Sequence, residues 1–145
     1  MLFRSAVPLI INGFPETALH FALPMQLPFS AFLEYMSKDD CLKDTGPIGV
    51  SVHSVTEAKF AEEKGAAFLI AGHIFQTNCK PGLAPRGLAF LRQICMSVQI
   101  PVWAIGGITP KNATNIWEQG ASGVCIMSSL MEAEYPERMI QEIKS

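Results

Sequence analysis

The chain has 145 residues, of which 49% are hydrophobic and 17% charged, and its formal net charge at pH 7 is −2. This length predicts one domain, residues 1–145, with enough apolar residues to build a core. The sparse, balanced charge argues against a nucleic-acid partner, which would need clustered Lys and Arg, and no apolar run approaches the ~18 residues of a membrane span.

The N-terminal segment and the cysteines indicate a cytoplasmic protein. The segment MLFRSAVPLIING has neither the longer apolar region nor the small-residue cleavage site of a signal peptide. The four cysteines form no CxxC pair and no zinc-binding spacing, so structural or neutral roles are expected for Cys41, Cys79, Cys95 and Cys125.

Apolar runs alternate with helical patterns along the chain, which predicts βα units and a parallel sheet. AAFLIAG and PVWAIGG are continuously apolar, as strands buried on both faces are. The pattern predicts six strands: Val7–Asn12, Pro24–Leu27, Ile48–His53, Ala67–Phe75, Pro101–Gly107 and Gly123–Ser128.

The segments between these strands carry helix signals. Ser54 and Glu57 form a capping box for a helix that ends at Gly65. Thr109 is expected to cap another helix, with Pro110 at its first position and Gly120 at its end. Three further helices are predicted: Phe29–Met36, Gly87–Met96 and Pro136–Lys144.

The spacing of the strands suits either an open doubly wound sheet or a (β/α) barrel, and periodicity does not distinguish them. Because a barrel typically needs about 250 residues, the length alone favours an open, flavodoxin-like sheet. No GxGxxG or P-loop motif is present.

Two strand ends carry the features of an anion site. Gly106 and Gly107 end the fifth predicted strand just before a helix start, where free N–H groups and the helix dipole favour phosphate. Ser128 and Ser129 end the last strand and can complete a phosphate cradle. The simpler alternatives are a tight turn that requires glycine, and a Ser129 that only caps a short helix.

Other candidate residues follow the third and fourth strands. Period-2 alternation puts Ala71, His73 and Phe75 on one strand face, with His73 near the carboxyl end, where ligands bind in α/β proteins. Histidine suits proton transfer near neutral pH, although a histidine in an apolar run is more often a hydrogen-bonded core residue.

Five polar side chains complete the candidate set. Ser51 and His53 share a face at the end of the third strand, where they can line a pocket. The loop after the fourth strand carries Thr77, Lys80 and Arg86 as candidate ligand contacts, although for Arg86 a solvated surface charge is the expected role.

Together these motifs resemble the thiamin-phosphate-synthase/TenI family. The segments IGVSVHSVTEA, LIAGHIFQTNCKPGLAPRG, IPVWAIGGITPKN and GASGVCIMSSL are similar to the family's strands five to eight, in order, and LIINGFPETAL and MQLP to its strands three and four. The resemblance implies an incomplete TIM barrel of about six parallel strands, without a counterpart of strands one and two.

The resemblance also implies an activity in thiamin biosynthesis. The family's synthases join a pyrimidine diphosphate to a thiazole phosphate with magnesium, but Gly13 stands where they carry Asp, and no acidic residue follows MQLP. The TenI branch aromatises a dihydrothiazole carboxylate phosphate, and His73 is similar to a histidine found in that branch.

The sequence therefore predicts a thiazole tautomerase with His73 as general acid–base, no cofactor and no metal. The substrate would contact Ser51, His53, Thr77, Lys80, Gly106, Gly107, Ser128 and Ser129. The alternatives are a divergent thiamin phosphate synthase and a non-catalytic thiazole-phosphate-binding protein. A homo-oligomer is expected to cover the open barrel edge.

Overall fold

The computed structural model describes residues 7–37 and 46–144. Within these residues the chain forms six strands and seven helices. The strands are β1 (Ile11–Asn12), β2 (Met25–Pro28), β3 (Ile48–Val52), β4 (Phe68–Gly72), β5 (Val102–Ile105) and β6 (Gly123–Cys125). The helices are α1 (Pro15–His20), α2 (Phe29–Met36), α3 (Val55–Glu63), α4 (Gly87–Ser97), α5 (Ala113–Trp117), α6 (Ser128–Met131) and α7 (Pro136–Lys144).

All six strands lie in one parallel sheet in the order β1-β2-β3-β4-β5-β6. Each strand therefore pairs with its neighbour in the sequence, and a helix covers most of the crossovers. This is the order of a (β/α) barrel, so the flavodoxin-like sheet favoured by length alone is wrong. The sheet is a curled half-barrel, and β1 and β6 each pair on one side only within the described residues.

The helix-facing side of the sheet holds the core. Val50, Leu69 and Ala104 are completely buried there, together with Leu91 and Ile94 of α4. Fully burying one such aliphatic side chain stabilises the fold by roughly 1.5–3 kcal/mol. The continuous apolar runs of the sequence supply this face.

The concave side of the sheet is less completely covered. Phe68 and Trp103 stack there with ring centroids 4.6 Å apart. Gly49 makes room for them, because a Cβ at that position would collide with the Phe68 ring. Ile105, further along β5, remains 37% exposed.

The link between β3 and α3 is the predicted capping box, in a slightly different form. The Ser54 hydroxyl accepts a hydrogen bond from the Glu57 N–H at 3.1 Å. The Glu57 carboxylate accepts from the N–H of His53 at 2.7 Å, one residue earlier than the reciprocal bond of the standard motif. Both bonds hold the strand end that carries His53, and the predicted stop at Gly65 has a φ of +86°.

Several predicted boundaries differ from the structure. The last four predicted strands end one to three residues later than the observed ones, because their last residues turn into the strand-end loops. The helix after β5 begins at Ala113 rather than Pro110, since residues 110–112 form a turn, and the N–H groups of Asn112 and Ala113 donate to the Thr109 carbonyl. Helix α1, which ends at His20, was not predicted. Cys41 lies outside the described residues.

No helix in residues 7–37 and 46–144 is long and apolar enough to cross a membrane.

We predict that this chain self-associates through the open side of its sheet. Exposed apolar side chains flank both edge strands, with Phe14 69% exposed beside β1 and Met131 83% exposed after β6. Such patches on a chain with only 17% charged residues favour a protein contact. Sedimentation at micromolar concentration should show a dimer or larger species, and a stable monomer would contradict this.

Candidate functional site

A cavity of about 660 Å³ lies at the carboxyl ends of the strands, and we call it the strand-end cavity. It is the place where ligands bind in barrels and open α/β sheets. All nine residues that the sequence singled out line it: Ser51, His53, His73, Thr77, Lys80, Gly106, Gly107, Ser128 and Ser129.

The β5 loop has a backbone that requires glycine. Gly106 and Gly107 have φ values of +101° and +65°. A Cβ on Gly106 would collide with His73, and one on Gly107 with the Gln76 carbonyl. The simpler alternative, a tight turn that requires glycine, therefore also explains these two residues. Packing of the chain against itself already requires glycine at both positions.

Asn112 holds this loop in shape. Its Nδ2 donates to the Gly107 carbonyl at 2.9 Å, and its Oδ1 accepts from the Thr109 N–H at 2.8 Å. Sequence reasoning missed this residue, although asparagine commonly bonds nearby backbone in turns. With the loop held in this way, the Gly107 N–H makes no hydrogen bond within the described part of the chain.

The β6 end lies against the β5 loop. Ser129 donates its hydroxyl to the Ile108 carbonyl at 3.3 Å, so it is not the side-chain cap that the simpler interpretation expected. The N–H groups of Ser128 and Ser129 have no acceptor among the described residues. Three backbone donors, those of Gly107, Ser128 and Ser129, are thus available to an anion along one wall.

His73 enters the cavity because the regular strand stops one residue before it. The expected shared face with Ala71 is wrong, since Ala71 lies in the helix-side core while Ile70 and Gly72 line the cavity. His73 is only 7% exposed, and its Nε2 lies 3.4 Å from the Leu83 carbonyl. If Nε2 carries the proton, Nδ1 is the basic nitrogen.

Ser51 and His53 form the opposite wall, as their alternation predicted. Gln26 donates its side-chain N–H to the Ser51 hydroxyl at 2.6 Å. The Nδ1 of His53 lies 3.0 Å from the Gly72 carbonyl, so this nitrogen must carry a proton to donate. Arg86 is exposed as expected, yet its guanidinium donates to the His53 carbonyl at 3.0 Å and thereby ties the loop to β3.

The cavity has few charged side chains. Among the described residues Lys80 is the one Lys or Arg in its lining, and Glu132 is the one carboxylate. No group of three or more His, Cys, Asp or Glu side chains in residues 7–37 and 46–144 is placed to hold a metal ion. The lining therefore offers neutral hydrogen-bond donors with a single cation.

The chain matches known proteins along most of its length. Residues 4–130 match the family model described as thiamine monophosphate synthase. The thiamine-phosphate synthase of Pyrococcus furiosus is 43% identical over 97 residues, which is 67% of this chain and 47% of that protein. The thiamine-phosphate synthase of Chloroflexus aurantiacus is 36% identical over 139 residues, which is 90% of this chain and 61% of that protein.

Solved structures agree with these sequence matches. The thiamine phosphate pyrophosphorylase from Pyrococcus furiosus superposes with a TM-score of 0.79 at 33% identity, covering 94% of this chain and 65% of that one. FabK from Thermotoga maritima, with a TM-score of 0.67 at 19% identity over 83% of this chain and 41% of its own, shares the fold alone. The chain spans about half to two thirds of the length of these synthase relatives.

The cavity cysteines should differ in reactivity. Burial raises the pKa of the Cys125 thiol to about 11, so only on the order of a thousandth of it is thiolate at pH 8. Cys79 is exposed at the cavity mouth. We expect iodoacetamide at pH 8 to label Cys79 at least about tenfold faster than Cys125, as measured by peptide-resolved mass spectrometry. Equal rates would contradict the burial of Cys125.

Proposed function

The chain belongs to the thiamine monophosphate synthase family, and we propose that it carries the thiazole-phosphate half of a thiamine-phosphate-synthase-type active site. The observation that carries this proposal is the convergence of the β5 and β6 loops. There the N–H groups of Gly107, Ser128 and Ser129 are unpaired within the described residues and line one wall of a cavity with a single cation, Lys80.

The relatives support a synthase over the tautomerase that the sequence alone favoured. The curated relatives at 33–43% identity are named thiamine-phosphate synthase. The position of the cavity at the strand ends, with neutral donors at one side, suits a phosphate anchored by backbone N–H groups.

The reaction proposed for the site is a substitution at carbon. The thiazole ring nitrogen forms a C–N bond to the methylene of the pyrimidine diphosphate, the C–O bond to the diphosphate breaks, and pyrophosphate leaves with the electron pair. The role of the described residues is to hold the thiazole by its phosphate, so that the ring nitrogen faces the methylene carbon. Such positioning can lower the barrier substantially.

The described residues offer at most one carboxylate to the magnesium ion that the resemblance implies. Glu132 is the one carboxylate in the described lining, and no metal-binding cluster occurs in residues 7–37 and 46–144. Magnesium usually binds through one or two carboxylates together with phosphate oxygens. No step is therefore derived through the metal.

The proposal is tested by binding and turnover in parallel. Calorimetry should show binding of the thiazole phosphate, and incubation with pyrimidine diphosphate and magnesium should yield thiamin phosphate. Binding without either synthase or tautomerase turnover would favour the non-catalytic alternative. No binding at all would overturn the proposal.

Replacing Lys80 by Ala should weaken binding of the thiazole phosphate by about tenfold, because a charge-assisted hydrogen bond is lost. The loss should shrink at high salt, since Lys80 is exposed. Lys111→Ala is the matched control, because Lys111 is also exposed but does not line the cavity. Equal effects of the two changes in calorimetry would argue against phosphate at this wall.

A thiazole tautomerase remains the second candidate, and the position of His73 favours it. Its imidazole is almost fully buried yet lines the cavity, where a ring held by its phosphate would lie. One imidazole can take a proton from one ring carbon and return it to another, which is all that aromatisation of the dihydrothiazole requires.

Under this second candidate, His73→Asn should lower the rate of aromatisation by about 10²–10⁴-fold and leave binding of the aromatic product nearly unchanged. His20→Asn is the control, since His20 is exposed and distant from the cavity lining. The rate is followed by consumption of the dihydrothiazole carboxylate phosphate. If wild-type protein shows no aromatisation, the tautomerase candidate fails.

A further inference from the structure

We infer that Gln26 is a positioning residue that fixes the Ser51 hydroxyl as a hydrogen-bond donor into the strand-end cavity, where it recognises an unprotonated ring nitrogen. This inference rests on the proposed function and names a specificity element of the same site. Of the two substrates of that function, the pyrimidine carries ring nitrogens that take no part in bond formation, whereas the thiazole nitrogen must keep its lone pair for the new C–N bond, so the pyrimidine is the ring expected to meet Ser51.

Gln26 lies on the concave face of β2, where a buried polar side chain requires a hydrogen-bond partner. It is only 9% exposed, and with His73 it is one of the two buried polar residues of the described chain. It pairs in register with Gly49 of β3, and its side-chain amide reaches Ser51, two residues further along β3. Burying an amide is costly unless it is hydrogen-bonded.

The direction of this hydrogen bond determines what Ser51 can do. The Nε2 group of Gln26 can only donate, so the Ser51 oxygen at 2.6 Å must accept. The Ser51 hydroxyl hydrogen is not used in this bond, and it has no acceptor among the described residues. Ser51 therefore presents a donor to the cavity, which complements a ring nitrogen with a lone pair and not a C–H or N–H group.

The wall that holds Ser51 is separate from the phosphate wall. Ser51 lies in β3, paired in register with Pro28 of β2, whereas the unpaired N–H groups belong to the β5 and β6 loops. A change at Gln26 should thus alter recognition of the ring and spare recognition of inorganic phosphate. A purely structural role of Gln26 would affect both alike.

The test measures affinity by calorimetry for two pairs of probes and for inorganic phosphate. The thiazole phosphate is compared with its thiophene counterpart, and the pyrimidine diphosphate with its benzene counterpart, so that the ring recognised is identified. Wild-type protein should prefer the nitrogen ring in one pair by roughly threefold to tenfold, the range of one neutral hydrogen bond. Ser51→Ala should abolish that preference.

Gln26→Glu is the decisive variant, because it keeps size and reverses polarity. The carboxylate accepts the Ser51 hydrogen, so Ser51 presents a lone pair to the ring nitrogen, and affinity for the preferred probe should fall roughly tenfold or more. In a Ser51→Ala background the same change should cost less than about twofold, which separates loss of the donor from simple charge repulsion. Gln93→Glu, on the exposed face of α4, controls for net charge.

Gln26→Met replaces Gln26→Glu in the test if the glutamate variant does not fold. The methionine removes the hydrogen-bond donor without adding charge. It should reduce the preference for the nitrogen ring by roughly threefold and leave inorganic phosphate affinity unchanged. Additive effects of Gln26→Glu and Ser51→Ala, or a wild-type protein that binds both members of each pair equally, would overturn the inference while the proposed function stands. If wild-type protein binds none of the ring probes, the proposed function fails, and this inference with it.

Discussion

The register of six parallel strands is the constraint on which the rest of the molecule depends. Because each strand pairs with its sequence neighbour, all strand ends meet at one edge, and each βα loop opens there. Residues as far apart in sequence as Ser51 and Ser129 thereby line a single cavity. The helices contribute the buried aliphatic layer that holds this arrangement, while the concave side leaves room for a ligand.

Within that frame, the chain packs closely against itself at the junction between β4 and β5. The chain beyond β4 continues to bond β5 and its loop, through Ile74 N–H to the Ile105 carbonyl and Phe75 N–H to the Gly106 carbonyl. Such close approach is possible only beside glycine, and it brings His73 and the 77–80 segment to the same cavity as the β5 and β6 loops. Gly106 and Gly107 thus allow this close packing, and they also keep the backbone N–H groups of the loop accessible.

The two walls of the strand-end cavity carry different chemical groups. One wall has backbone donors and the other has Ser51 and His53, with His73 between them, and Lys80 is the one Lys or Arg among the described lining residues. This inventory can anchor a phosphate and orient a ring, and it contains one buried imidazole suited to proton transfer. The synthase relatives that the chain matches are longer than this chain.

The sequence by itself predicted the number of strands in the described residues, five of the seven described helices at least in part, and nine residues that line the strand-end cavity, because buried strands, caps and glycine turns follow from local chemistry. Tertiary structure decided the rest. Strand pairing selected the barrel order over the open sheet that length favoured, since sequence spacing says nothing of which strands are neighbours. The roles of Gln26 and Asn112 depend on contacts that cross between strands or fold back within a loop, and single-strand periodicity does not encode them.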